Sequence, residues 1–217
     1  MTAPDPESHA SPPASDRPQV YLISPPDPDP ATFPDLLARV LDAQPVACLR
    51  LMTTTQDADR IARMADALRE TAHARDVALV IDRHVPMVER LGLDGVHLPD
   101  GGRGLRKLRA DLGPDTIIGA FCGASRHDGM SAGEAGADYI AFGPAGAAGL
   151  GAGEVAPFEL FEWWSQMIEL PVVAEGALSP EVVERLAPVS DFFAFGAEVW
   201  DSPDPVGALA RLVERLG

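Results

Sequence analysis

Short apolar runs alternate with longer amphipathic segments along most of the chain. The runs typical of buried strands are residues 20–23, 46–52, 78–81, 95–98, 116–121, 139–142, 172–174 and 192–195. Between them, apolar residues recur every three or four positions and predict helices over residues 33–43, 57–74, 85–91, 105–112, 130–135, 158–168, 180–186 and 205–216. Strands that each precede a helix indicate a parallel sheet joined by helical crossovers.

Two α/β folds are compatible with this alternation, a doubly wound open sheet and a closed (β/α)8 TIM barrel. Eight βα units within about 200 residues favour the barrel. The first 18 residues are rich in Pro, Ser, Ala and Asp and show no hydrophobic period. We therefore expect a disordered tail over residues 1–18, followed by a single barrel domain over residues 19–217.

The amino-acid composition argues against several classes of binding partner. Acidic residues number 33 against 17 basic ones, a net charge of −16, which argues against nucleic acid and anionic membranes. No run of 18 apolar residues predicts a transmembrane helix, and no secretory signal is recognised at the N-terminus. The two cysteines, Cys48 and Cys122, lie in apolar runs without metal-type spacing and are expected to be buried thiols of a cytoplasmic protein.

In such a barrel, ligands bind at the carboxyl ends of the strands, and the loops after the seventh and eighth strands commonly hold a phosphate. Here these loops contain Gly176 and Ala177, and Gly196 and Ala197. Their backbone N–H groups predict an anion site. The alternative is that the glycines only relax tight turns.

Three strand ends carry the most specific pattern in the chain. Residues 93–98 read Leu-Asp-Gly-Val-His-Leu, residues 136–144 read Gly-Ala-Asp-Tyr-Ile-Ala-Phe-Gly-Pro, and residues 81–83 read Ile-Asp-Arg. Together they resemble the thiamine phosphate synthase and thiazole tautomerase family, and the likeness covers most of the chain from Val20 onward. The resemblance implies a TIM barrel whose C-terminal mouth binds phosphorylated thiazole and pyrimidine precursors of thiamine, with Mg²⁺ as cofactor.

The resemblance also assigns residues. It implies that Arg50 grips the diphosphate of the pyrimidine substrate and that Asp82 anchors Mg²⁺, and these two are the candidate catalytic residues. Gly102 stands where the family has a second metal ligand, so Asp100 is expected to substitute for it. The predicted substrate-binding residues are Arg83, His97, Asp100, Gly143, Glu175, Gly176, Ala177, Gly196 and Ala197.

Several family positions are changed in this chain. Met52 replaces a lysine after the second strand, and residues 119–123 lack the serine and histidine that end the fifth. Residues 145–153 lack a Thr-Lys motif, and Glu175 replaces an apolar residue. Each lost charged contact costs about 1.5–3 kcal/mol. We therefore expect the diphosphate-displacing transferase activity to be weak or lost.

Two alternatives follow from these changes. One is a non-catalytic paralogue that keeps a small-molecule pocket. The other is a different enzyme on the same barrel, in which Asp82, Asp100 and Glu175 bind a metal or act as acid and base. His127 is a weak candidate proton carrier. Four aromatic residues on the sixth helix are expected either to pack in the core or to form a homodimer contact. They are Phe158, Phe161, Trp163 and Trp164.

Overall fold

Eight parallel strands close into one barrel in chain order, β1 pairing with both β2 and β8. The computed structural model describes residues 17–147 and 153–217. The strands are β1 Gln19–Ile23, β2 Cys48–Leu51, β3 Ala78–Asp82, β4 Gly95–Leu98, β5 Ile117–Phe121, β6 Tyr139–Phe142, β7 Val172–Glu175 and β8 Phe192–Phe195. Closure confirms the predicted TIM barrel and excludes the open sheet. The expected tail lies outside the described residues, apart from Arg17 and Pro18.

Helices follow the strands and surround the barrel. They are α1 Phe33–Ala43, α2 Ala58–His73, α3 Pro86–Leu91, α4 Leu105–Leu112, α5 Arg126–Glu134, α6 Phe158–Met167, α7 Pro180–Leu186, α8 Ala197–Trp200 and α9 Pro205–Val213, with a 3₁₀ turn at Ala187–Val189. Within the part of the chain that the structure describes, no helix is long and apolar enough to cross a membrane.

Alternation along each strand separates two cores. Inward-facing residues such as Tyr21, Val80, Tyr139 and Val173 pack inside the barrel, whereas their neighbours pack between the strands and the helices. Successive strand residues face opposite sides of the sheet. At the C-terminal strand ends, every second side chain therefore points into the mouth of the barrel. This geometry positions the candidate site.

Two helix starts show how local chemistry sets the element bounds. The Asp57 carboxylate accepts hydrogen bonds from the backbone N–H groups of Asp59 and Arg60 and so caps α2. The Ser125 hydroxyl accepts one from the N–H of Asp128, which starts α5 at Arg126 rather than at the predicted residue 130. The polar first turn of α5 has no apolar period, and the sequence pattern therefore missed it.

Candidate active site

A guanidinium held between two carboxylates lies at the C-terminal mouth of the barrel. Arg50 projects inward from β2 and is 4% exposed. Its Nη1 donates to Oε2 of Glu175 over 3.0 Å and its Nη2 to Oε1 over 3.4 Å. Glu175 ends β7, on the far side of the barrel in chain order, so closure of the barrel is what brings the two residues together.

Asp82 is the second carboxylate and ends β3, beside Arg50. Its Oδ1 lies 3.5 Å from Nε of Arg50, and the side chain is largely buried. Neither of these two atoms has a hydrogen-bond partner among the described residues. Burial raises the pKa of Asp82, and the charge of Glu175 raises it further, while Arg50 offsets part of the effect.

The positive charge of Arg50 is therefore already offset within the protein. One guanidinium faces two carboxylates, and the bidentate contact to Glu175 uses the planar edge that would otherwise meet a phosphate or diphosphate. The sequence located Arg50, Asp82 and Glu175 at strand ends. It did not predict that Glu175 would pair with Arg50, because that contact joins residues separated by 125 positions.

A buried hydroxyl and imidazole network lies inside the barrel with Arg50. The hydroxyls of Tyr21 and Tyr139 are 2.8 Å apart, and Nδ1 of His97 is 2.9 Å from the Tyr139 hydroxyl. The Arg50 guanidinium carbon lies 5.8 Å from the centre of the Tyr21 ring. Burial lowers the pKa of His97 well below its usual value, and the nearby Arg50 adds to this, so His97 is neutral near pH 7. Tyr21 and Tyr139 were not singled out by the sequence.

Glycines let the loops after β6 and β7 pack together at the mouth. A Cβ on Gly143 would clash with the carbonyl oxygen of Glu175, and one on Gly146 would clash with that of Ala177. The Ala145 N–H donates to the Glu175 carbonyl over 2.9 Å. Gly143 thus allows the β6 end to lie against the backbone of Glu175. Residues 148–152 of the loop after β6 lie outside the described part.

A second glutamate engages the predicted anion loops. Oε1 of Glu198 accepts from the N–H of Leu178 over 2.9 Å, and Oε2 accepts from the N–H of Gly196 over 3.0 Å. One carboxylate thus bridges the loops after β7 and β8. Gly176 and Ala177 both have positive φ in the first of these loops, where they turn the chain towards α7. Sequence reasoning missed Glu198, although its place two residues after Gly196 was a usable signal.

Two other predicted substrate positions are exposed to solvent. The Arg83 side chain is exposed, on a residue with φ of 63°. Asp100 is exposed on the turn after β4, and Gly102 is partly buried, where an added Cβ would lie 2.8 Å from Cα of Ala132. His127 lies in the first turn of α5 and is exposed.

The residues around Asp82 do not form a donor set that suits Mg²⁺. Mg²⁺ prefers oxygen ligands, whereas the charged group beside the free Asp82 oxygen is the Arg50 guanidinium. Among the described residues, no group of three or more His, Cys, Asp or Glu side chains could hold a metal ion. The assignment of Asp82 and Asp100 as metal ligands stays a prediction, and no step below is routed through a metal.

The aromatic residues of α6 serve mainly the barrel's own core. Phe161 and Trp164 are fully buried, Trp164 packs edge-on against Phe142, and its Nε1 donates to the Leu170 carbonyl over 2.8 Å. Trp163 is partly buried and stacks under the Arg126 guanidinium, 4.0 Å from the ring centre. The homodimer contact stays a prediction.

Eight parallel strands closed into one barrel and surrounded by helices define the class as a TIM barrel. The family profile described as thiamine monophosphate synthase matches residues 20–198. The chain is 38% identical to the thiamine-phosphate synthase of Rhodospirillum centenum over 195 residues, 88% of this chain and 94% of that one. It is also 38% identical to that of Erythrobacter litoralis, over 91% of this chain and 95% of that one. The chain belongs to the thiamine phosphate synthase family, which confirms the predicted resemblance.

Solved structures agree on the fold. The barrel aligns with thiamine phosphate pyrophosphorylase from Pyrococcus furiosus with a TM-score of 0.75 and 20% identity, over 93% of this chain and 98% of that one. It aligns with (S)-3-O-geranylgeranylglyceryl phosphate synthase from Thermoplasma acidophilum with a TM-score of 0.69 and 16% identity, over 92% and 93%. At these identities the likeness is one of architecture.

Proposed function

We propose that this protein binds a phosphorylated thiazole or pyrimidine precursor of thiamine at the C-terminal mouth of its barrel and has weak synthase activity. Family membership supports the ligand class. The single observation that carries the weak activity is the bidentate pair between Arg50 and Glu175. Displacing diphosphate from a pyrimidine requires cations that stabilise the departing anion, and here the buried cation is already neutralised.

An incoming diphosphate would have to replace Glu175 at Arg50. That exchange offers little net gain, because one anionic partner is traded for another and the released carboxylate needs a new one. The positions that could have supplied further cations are Met52 and the loop after β6, whose residues 145–153 contain neither Lys nor Arg. The binding part of the function therefore relies on the heterocycle more than on charge.

The test is a synthase assay together with a binding assay. Purified protein is mixed with hydroxymethylpyrimidine diphosphate, thiazole phosphate and Mg²⁺, and thiamine phosphate is followed by fluorescence after oxidation to thiochrome. We expect turnover several orders of magnitude below the roughly 1–10³ s⁻¹ typical of enzymes, while calorimetry still detects binding of one precursor.

The variant Arg50→Ala is expected to weaken binding of the pyrimidine diphosphate by about tenfold or more, since it leaves the carboxylates of Glu175 and Asp82 without their cation, where they repel an anionic ligand. Arg103→Ala, which removes an exposed cation on the turn before α4, is the matched control and should bind as the parent does. Turnover at rates typical of enzymes would overturn the weak-synthase proposal. Absence of binding by every thiamine precursor would overturn the ligand class.

A further inference from the structure

Glu198 accepts hydrogen bonds from two backbone N–H groups in the loops that a TIM barrel commonly offers to a phosphate. Its carboxylate accepts from Leu178 in the loop after β7 and from Gly196 in the loop after β8. These are the loops from which many TIM barrels bind the phosphate of a ligand. The two contacts, of 2.9 and 3.0 Å, have the geometry of charge-assisted hydrogen bonds from N–H donors to an anion.

We infer that Glu198 sets the preference of this subsite for charged or uncharged ligands. Its carboxylate competes with a phosphate group and cancels the affinity that the phosphate would add. The inference rests on the proposed function for the identity of the heterocycle, but not for the competition itself. Glu198 is thereby a specificity-determining residue. Because of it, the alcohol and the phosphate ester of the same thiazole bind about equally well.

The surroundings allow the competing carboxylate to leave. A cavity of about 650 Å³ borders Glu198 and Leu178 and is lined on its other side by α9. Arg211 of α9 lines the same cavity, so a displaced Glu198 carboxylate has both space and a cation nearby. An entering phosphate would therefore meet a side chain that can move, at a cost close to the value of the two hydrogen bonds that Glu198 gives up.

The same arrangement occurs at Arg50, where Glu175 stands in for an external anion. Two kinds of hydrogen-bond donor in this mouth could bind an anion, a guanidinium and a pair of backbone N–H groups. Each is already bound to a carboxylate of the chain itself. Both act in a molecule of net charge −16, which disfavours anionic ligands at long range as well.

The experiment measures the dissociation constants of thiazole phosphate, the matching thiazole alcohol and inorganic phosphate by calorimetry. The variants are Glu198→Ala and Glu198→Gln, and the matched control is Glu214→Ala, which removes an equal charge from the same cavity wall. Circular dichroism and thermal melting establish that each variant is folded.

We expect the parent to bind the phosphate and the alcohol with similar affinity. Glu198→Ala should bind thiazole phosphate and inorganic phosphate at least about tenfold more tightly, the size of one recovered charged hydrogen bond, with the alcohol unchanged. Glu198→Gln should fall between, because its amide oxygen still accepts a hydrogen bond. The control should match the parent.

Unchanged phosphate affinity in Glu198→Ala, or an equal gain in Glu214→Ala, would overturn the inference. Inorganic phosphate separates this failure from failure of the proposed function. If no variant binds either thiazole but Glu198→Ala gains affinity for inorganic phosphate, the competition stands and the proposed ligand is wrong.

Discussion

The buried polar side chains inside the barrel determine which residues of the candidate site are charged and which are neutral. Arg50 is held by Glu175 and Asp82, and the neighbouring network of Tyr21, Tyr139 and His97 is hydrogen-bonded through its hydroxyls. Because burial disfavours charge, the pKa values of both tyrosines lie well above their usual value and that of His97 lies well below its own. The network therefore stays neutral around Arg50 near pH 7.

His97 gives a prediction at this scale. Its pKa is about 6.5 when unfolded and is lowered in the fold, so the unfolded chain binds the extra proton first as pH falls. The stabilisation it provides is thus present above pH 6.5 and is lost on acidification, at up to about 1.4 kcal/mol per pH unit. We expect His97→Gln to be less stable near pH 7 by about 1–3 kcal/mol, and its free energy of unfolding to fall less steeply towards pH 5.

Urea unfolding at several pH values measures this slope. His127→Gln, which changes an exposed histidine on α5, is the control and should keep the parent's dependence on pH. An unchanged slope in His97→Gln would show that His97 is not the group that is protonated on unfolding.

The elements around the barrel depend on close packing at a few small residues. In α5, a Cβ on Gly129 would lie 2.8 Å from the ring of Trp164 and 3.0 Å from that of Phe142. In the same helix, a Cβ on Gly133 would meet only the end of the Leu170 side chain, at 3.0 Å. The two positions therefore differ in packing but share a helical backbone.

This difference gives a prediction for α5. Alanine is favoured over glycine in a helix by up to about 1 kcal/mol, so Gly133→Ala should leave stability unchanged or raise it slightly. Gly129→Ala should lower the free energy of unfolding by about 1–3 kcal/mol, because the added methyl group overpacks two rigid rings. Thermal and denaturant unfolding compare the two variants directly. Equal stabilities would contradict the packing of α5 against α6.

The sequence was informative about elements wherever an apolar period extends through the element. Strands β4, β6 and β8 have the predicted bounds, because each is a short apolar run next to turn residues. The four-residue helix α8 was not predicted, since Ala197–Trp200 is too short to show a helical period. Glu198 lies in this helix, so its role was missed along with the element.

At the scale of the whole molecule, closure of the barrel decides the chemistry of the mouth. The sequence places Arg50, Asp82 and Glu175 at strand ends, and all three were predicted site residues, the first two as catalytic and Glu175 as substrate-binding. Pairing of Arg50 with Glu175 depends on strands that are distant in the chain, and local pattern carries no information about such contacts. Hence the fold and the placement of these three residues at strand ends were predictable, while the pairing between them was not.

The central claim is that Glu175 neutralises Arg50 and thereby limits the affinity of the mouth for a diphosphate. The most direct measurement is calorimetric titration of inorganic diphosphate into the parent, Glu175→Gln and the control Glu169→Gln, which removes an exposed charge before β7. Removing the carboxylate charge while keeping the side-chain shape should tighten diphosphate binding about 10- to 100-fold, the value of one charged contact. Equal affinity in all three proteins, or weaker binding by Glu175→Gln, would contradict the account.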